Sequence, residues 1–250
     1  MIEKLNFTRG NAKLKRDTAI LSLPAGHTCP AALLCKSKAD RLTGQITDGP
    51  KCQFRCYATA AESMFKNIRE SRWRNFELLK SRSLGEMVDL IELSIPQKGI
   101  KLVRIHQSGD FFSQTYFDAW VQVSVNNAGL IHYGYTKALP FWIKRKDIIP
   151  ANLKLVASMG GLHDALIVPN NLRYARVVFS EKEAEDLRLE IDHDDTHAWK
   201  HEGNFAILIH GCQPKGSLAG VAWQILKRRG QGGYKADYFK KKHELIDIRH

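Results

Sequence analysis

From residue 101 onward, short apolar segments alternate with helical ones, and this alternation leaves the chain few folds to choose from. Residues 101–106, 130–136, 153–158, 174–179 and 205–210 read as strands, each bounded by turn residues. Between and after them, helices are expected behind Ser113, over 140–146, behind Ser180 and behind Ser217, with Glu183 completing a capping box for Ser180. Strands joined through helices run parallel with right-handed crossovers. Upstream, 18–23 reads as a first strand that ends at Pro24-Ala25-Gly26. Ala60, Met64, Ile68, Trp73, Phe76 and Leu79 mark one helix over 57–80, and Leu84, Met87, Val88, Leu90, Ile91 and Ile95 mark a second that stops at Pro96. The expected fold class is α/β: a partial (β/α) barrel or an open, mostly parallel sheet with an N-terminal cysteine-rich loop segment. A chain of 250 residues buries enough surface for this as a single domain, 1–250.

The cysteines come next. Four of the five, Cys29, Cys35, Cys52 and Cys56, fall within the segment 24–56, while Cys212 stands apart. In a reducing compartment such density points to a metal rather than to disulfides, because clustered thiolates repel unless a cation neutralises them. Zinc knuckles favour two-residue spacings, which are absent here. Gaps of five and three residues, with Phe54 and Tyr57 alongside, favour an iron–sulfur cluster, with zinc and free buried thiols as the alternatives. Lys51, Arg55 and the N-terminus of the following helix are expected to offset its negative charge. Cys212 reads as a small buried hydrophobe.

In α/β sheets, ligands bind beyond the carboxyl ends of the strands. The polar residues there are His106, Ser108, Gly109 and Asp110, then Lys137, then Ser158, and finally His210 with Lys215, Gly216 and Ser217. His106, Asp110 and Lys137 are the candidate catalytic groups, the first two as general acid or base. Ser108, Gly109, Lys215, Gly216 and Ser217 are the candidate cofactor contacts. The last three suit an anion at a helix N-terminus, an ordinary strand-to-helix turn being the alternative. Residues 192–201, rich in Asp and His, read as a solvated acidic loop.

Lys and Arg number 38 against 26 Asp and Glu, a net charge of +12. Such a balance draws anions, so nucleic acid or a phosphorylated small molecule is an expected partner. The basic tail 230–250, with Tyr234, Tyr238 and Phe239 among its lysines, suits a nucleic-acid backbone or a solvated terminal helix. No apolar run approaches the roughly 20 residues of a membrane span, and the N-terminus lacks a signal-peptide pattern. No membrane association and a cytoplasmic location are expected.

The segment from Ser22 to Ala32, Asp48-Gly49-Pro50 before Cys52-x-Phe54-Arg55-Cys56, Ser108-Gly109-Asp110-Phe111, Tyr135-Thr136-Lys137 and Ile209-His210-Gly211 with Gln213 to Ser217 together resemble the phage gene-product-88 family. The likeness runs from about residue 5 to 235 and implies a bacteriophage origin, hence the cytoplasm of an infected host. More distantly, Cys52-x-x-x-Cys56 and the strand leading into Ser108-Gly109-Asp110 are similar to radical S-adenosylmethionine enzymes, which implies S-adenosylmethionine as a cofactor. The third cysteine of that motif would fall at Thr59. Four cysteine ligands would saturate a 4Fe-4S cluster, the favoured form. Three would leave an open iron or a 3Fe-4S form. Three functions follow: an iron–sulfur protein with a redox partner, a related enzyme acting on a nucleotide or nucleic acid, or a non-catalytic nucleic-acid-binding protein with a structural metal.

Overall fold

The computed structural model describes residues 3–11 and 14–231. The chain opens with β1 (Thr8–Arg9), β2 (Thr18–Ile20), the hairpin strands β3 (Ser37–Ala39) and β4 (Ile46–Asp48), and three helices, α1 (Tyr57–Met64), α2 (Lys66–Leu79) and α3 (Leu84–Ser94). The alternating half follows as β5 (Leu102–Arg104), α4 (Gln114–Asn126), β6 (Ile131–Thr136), α5 (Leu139–Ile143), β7 (Leu153–Ser158) and β8 (Tyr174–Val178). It ends with α6 (Glu181–Asp186), β9 (Glu190–Ile191), α7 (Thr196–Trp199), β10 (Phe205–Leu208) and α8 (Leu218–Arg228).

Eight strands make one sheet in the order β1-β2-β5-β6-β7-β8-β10-β9. Every pairing in it is parallel except β1 with β2. From β2 to β8 the order in space repeats the order in the chain, so the sheet is wound in one direction. It does not close: β1 and β9 are free edges. Of the two expected architectures, the open, mostly parallel sheet is the one found.

Side chains alternate across β5. Val103 and its neighbour Ile105 join Met87 and Ile91 of α3 and Phe117 and Trp120 of α4 in the main core. Arg104 points to the other face, where Tyr133, Val156, Ala175 and Phe205 pack against Ala198 of α7, while His106, past the strand, lines the cavity with its ring against Phe111 and Tyr116. Serine caps start the helices as expected: the Ser113, Ser180 and Ser217 hydroxyls accept the N–H groups of Tyr116, Glu183 and Gly220. The Glu183 carboxylate, however, takes the N–H of Phe179 instead of closing a box on Ser180.

Two expectations need correction. The helix over 57–80 is two helices, because Phe65 adopts an extended backbone (φ −122°, ψ 105°). The break frees the carbonyl of Glu62, and Arg69 Nη1 takes it at 2.5 Å. The buried side of α2 is accordingly mostly polar, formed by Arg69, Arg72 and Asn75 with Leu79 at its end, while Met64 is exposed. Residues 192–201 are likewise no solvated loop: they carry α7, and Asp192 and Asp195 are buried. The tail from residue 232 on lies outside the described residues.

Candidate functional site

The cysteine-rich segment crosses the carboxyl ends of the strands, held there from both sides. The N–H groups of Leu33 and Leu34 bond the carbonyl of Gly160, just past β7. Gln53 and Phe54 donate to Leu34 O, and Gln213, past β10, exchanges two hydrogen bonds with the backbone of Arg55 (2.8 and 2.9 Å). Gly26 makes the tightest turn: its φ is +69°, and a Cβ there would meet Ser37 O at 2.0 Å. Behind the segment, the fully buried carboxylate of Glu62 accepts from Ala25 N, Ser108 Oγ and Arg72 Nη1 at 2.8, 3.2 and 2.7 Å. Thr59 is also committed to structure, bonding Ser37 of β3.

Under this cover lies a cavity of about 170 Å³. Cys29, Cys35 and Cys56 line it; Cys52 sits outside the lining, its thiol donating to Phe54 O at 3.2 Å. No cysteine is in a disulfide. Burial, and then the neighbouring Asp110, Cys56 and Cys35, push the Cys29 thiol well up. Burial and Cys35 raise Cys56 to about 11; burial, Asp48 and Cys35 raise Cys52 to about 11. The thiols therefore repel one another's negative charge, and a cation is what would turn them into thiolates. Among the described residues, no three cysteine sulfurs lie within 4.8 Å of one another. At the N-terminus of α1 the Ala58 N–H favours the Cys56 thiolate, as do the charges of Arg72 and Lys137. Arg55, expected to help, is engaged by Asp48 through Nε and Nη2 at 2.7–2.9 Å.

The far wall of the cavity is polar at its base. Arg104 and Asp195 form a buried ion pair, joined by Tyr133 Oη at 3.3 Å from Asp195. Arg104 Nε, Tyr135 Oη and His106 Nδ1 are buried without a protein partner. His106 is neutral, its pKa lowered by burial and by Arg104 to about 3. Asp110 accepts from Phe111 N, Thr136 Oγ1 and Lys137 N at 2.6–2.8 Å. Lys137 Nζ donates to Ser158 O, Ser158 Oγ and Met159 O at 2.6–3.0 Å. These last two side chains tie the ends of β5, β6 and β7 together. Gly109, at φ +87°, brings the β5 loop against Thr28 Oγ1 and Leu23, and Ser108 is buried on Leu23 O.

Of the residues singled out from sequence, the cavity thus gathers Cys29, Cys35, Cys56, His106, Ser108, Gly109, Asp110, Lys137, Ser158 and His210. It does not gather Lys215, Gly216 or Ser217. Lys215 and Gly216 are exposed, and the Ser217 hydroxyl is used as a helix cap, donating also to Pro214 O. Cys212 is exposed, not a buried hydrophobe. Sequence reasoning missed Arg104; Tyr57, whose ring packs on His210 at 4.8 Å, was noted only beside the cysteines, Tyr135 only at a strand end, and Asp192 and Asp195 only as part of an acidic loop. The charge of Arg104 within an apolar strand was the available signal.

The model of the family described as Gene product 88 matches residues 5–231. The Gene 88 protein of Mycobacterium phage L5 is 29% identical over 166 residues, 63% of this chain and 64% of that protein. The Gene 88 protein of Mycobacterium phage D29 is 33% identical over 94 residues, 34% of this chain and 39% of that protein. The chain thus matches less than two thirds of the length of either relative. No solved structure matches it at a significant level.

Proposed function

The chain belongs to the gene product 88 family, known here through mycobacteriophage relatives, and we propose that it binds an iron–sulfur cluster through Cys29, Cys35, Cys52 and Cys56. The observation that carries this reading is the gathering of four unpaired thiols in one pinned segment above a cavity. The gaps of five and three residues between them, with no two-residue zinc knuckle, favour a cluster over a single zinc. A bound cluster would supply one-electron chemistry at the mouth of the cavity. The chain's own residues supply the shape: Asp110 and Lys137 fix the strand ends, and Arg104, Tyr135 and His106 offer the polar groups a small ligand would meet. A redox partner and an anionic ligand, whether a phosphorylated small molecule or a nucleic acid, go with this reading; the net charge of +12 supports the latter.

Iron and acid-labile sulfide on anaerobically purified protein test it. We expect both in equal amounts, lost in Cys35→Ser and retained in Cys212→Ser. Iron-free protein, or equal loss in both variants, would overturn it.

One observation favours a second reading. Because Cys52 lies outside the cavity lining, Cys29, Cys35 and Cys56 would be three ligands that leave one iron open, the ligand count that goes with S-adenosylmethionine and an enzyme acting on a nucleotide or nucleic acid. Saturable binding of S-adenosylmethionine by the cluster-loaded protein, measured by calorimetry, separates the two.

A further inference from the structure

We propose that Glu190, His197 and His201 form a second site, independent of the cysteines, for one divalent cation of the zinc class. Glu190 lies on the edge strand β9, His197 on α7, and His201 four residues later. Their ligand atoms all lie within 4.8 Å of one another, with His197 Nε2 3.0 Å from Glu190 Oε2. The two imidazoles stack almost parallel at 4.5 Å (16°), so the exposed His201 ring turns about its side-chain bonds to bring its lone pair onto the ion beside that of His197.

Two independent features support the ligand set from behind. The buried carboxylate of Asp192 stands 3.0 Å from His197 Nδ1, which fixes the ring and leaves Nε2 to face Glu190. This carboxylate–histidine pairing is the usual outer support of a metal-bound imidazole. Arg173 then clamps the backbone: its guanidinium donates to the carbonyls of His197, Ala198 and His201. The His197 ring and the backbone of both histidines are therefore held before any ion arrives, which lowers the ordering cost of binding. Two imidazoles and one carboxylate form a three-ligand set that suits zinc and its neighbours, with a fourth position open toward the exposed side of Glu190 and His201. The carboxylates of Glu190 and Asp192 together match the charge of a divalent cation.

Cobalt(II) titration of the full-length, anaerobically purified protein tests the site. We expect one saturating equivalent whose d–d bands disappear in His201→Ala. His201→Ala, an exposed position, should abolish it, and Asp192→Asn should weaken it about 10- to 100-fold, both with far-ultraviolet circular dichroism unchanged for His201→Ala. Cobalt binding untouched by His201→Ala, or no saturable binding, would each overturn the proposal. Cobalt held by the cysteines would show as a thiolate charge-transfer band that His201→Ala leaves unchanged, so the two sites are read separately.

Discussion

At Glu62 a carboxylate with no exposure to water meets one guanidinium, one backbone N–H and one hydroxyl. Removing one partner of such a pair strands the other charge, at a cost of about 3–5 kcal/mol. Glu62→Ala should therefore lower the urea-unfolding free energy by that amount; a loss under 1 kcal/mol would show that the network is not what fastens the cysteine segment. His106 and His132 give a second residue-scale prediction. Burial lowers them to about 3 and about 4, so between those values and about 6.5 the unfolded chain binds protons that the folded chain does not. Their stabilising contribution is complete above about pH 6.5 and is lost as the pH falls toward the folded values, about 2 kcal/mol per histidine by pH 5. Comparing pH 7 with pH 5, His106→Asn should lose about 2 kcal/mol less than the unsubstituted protein. At this scale the sequence marked the cysteine segment, three of whose thiols, Cys29, Cys35 and Cys56, line one cavity. It was opaque for Arg104 and Asp195, because the ion pair joins residues 91 positions apart that only the sheet brings together.

The elements show a similar division. Periodicity and serine caps located the helices after 83, 113, 180 and 217, since those signals are local. The break at Phe65 was not legible, because what stabilises it is a non-adjacent guanidinium, Arg69 on the freed carbonyl of Glu62. The β3–β4 hairpin was missed because its strands are short and mostly polar (Ser37-Lys38-Ala39 and Ile46-Thr47-Asp48). The geometry of this segment leaves no room at Gly26, where a side chain would collide with Ser37 O. Gly26→Ala should displace the loop carrying Cys29 and lower the bound iron per chain several-fold. Gly99→Ala, also at positive φ but with open space around it, should leave iron content unchanged. Equal iron in both would separate the loop geometry from cluster binding.

For the whole molecule, the alternation of strands and helices was enough to foresee a mostly parallel sheet with its polar site at one end. Whether the sheet closes depends on curvature summed over many residues, and no local pattern reports it. Net charge acts at this scale too: with +12 on the chain, any DNA or RNA binding should weaken steeply between 50 and 200 mM salt by counterion release, as fluorescence anisotropy with a labelled oligonucleotide would read. Salt-insensitive binding would exclude a phosphate-backbone interface. The central claim is that the cysteine segment grips iron and sulfide, and electron paramagnetic resonance on anaerobic protein before and after dithionite tests it most directly. A 4Fe-4S cluster predicts a silent spectrum that becomes a fast-relaxing signal on reduction, absent in Cys35→Ser. A protein silent in both states and free of iron would contradict the account.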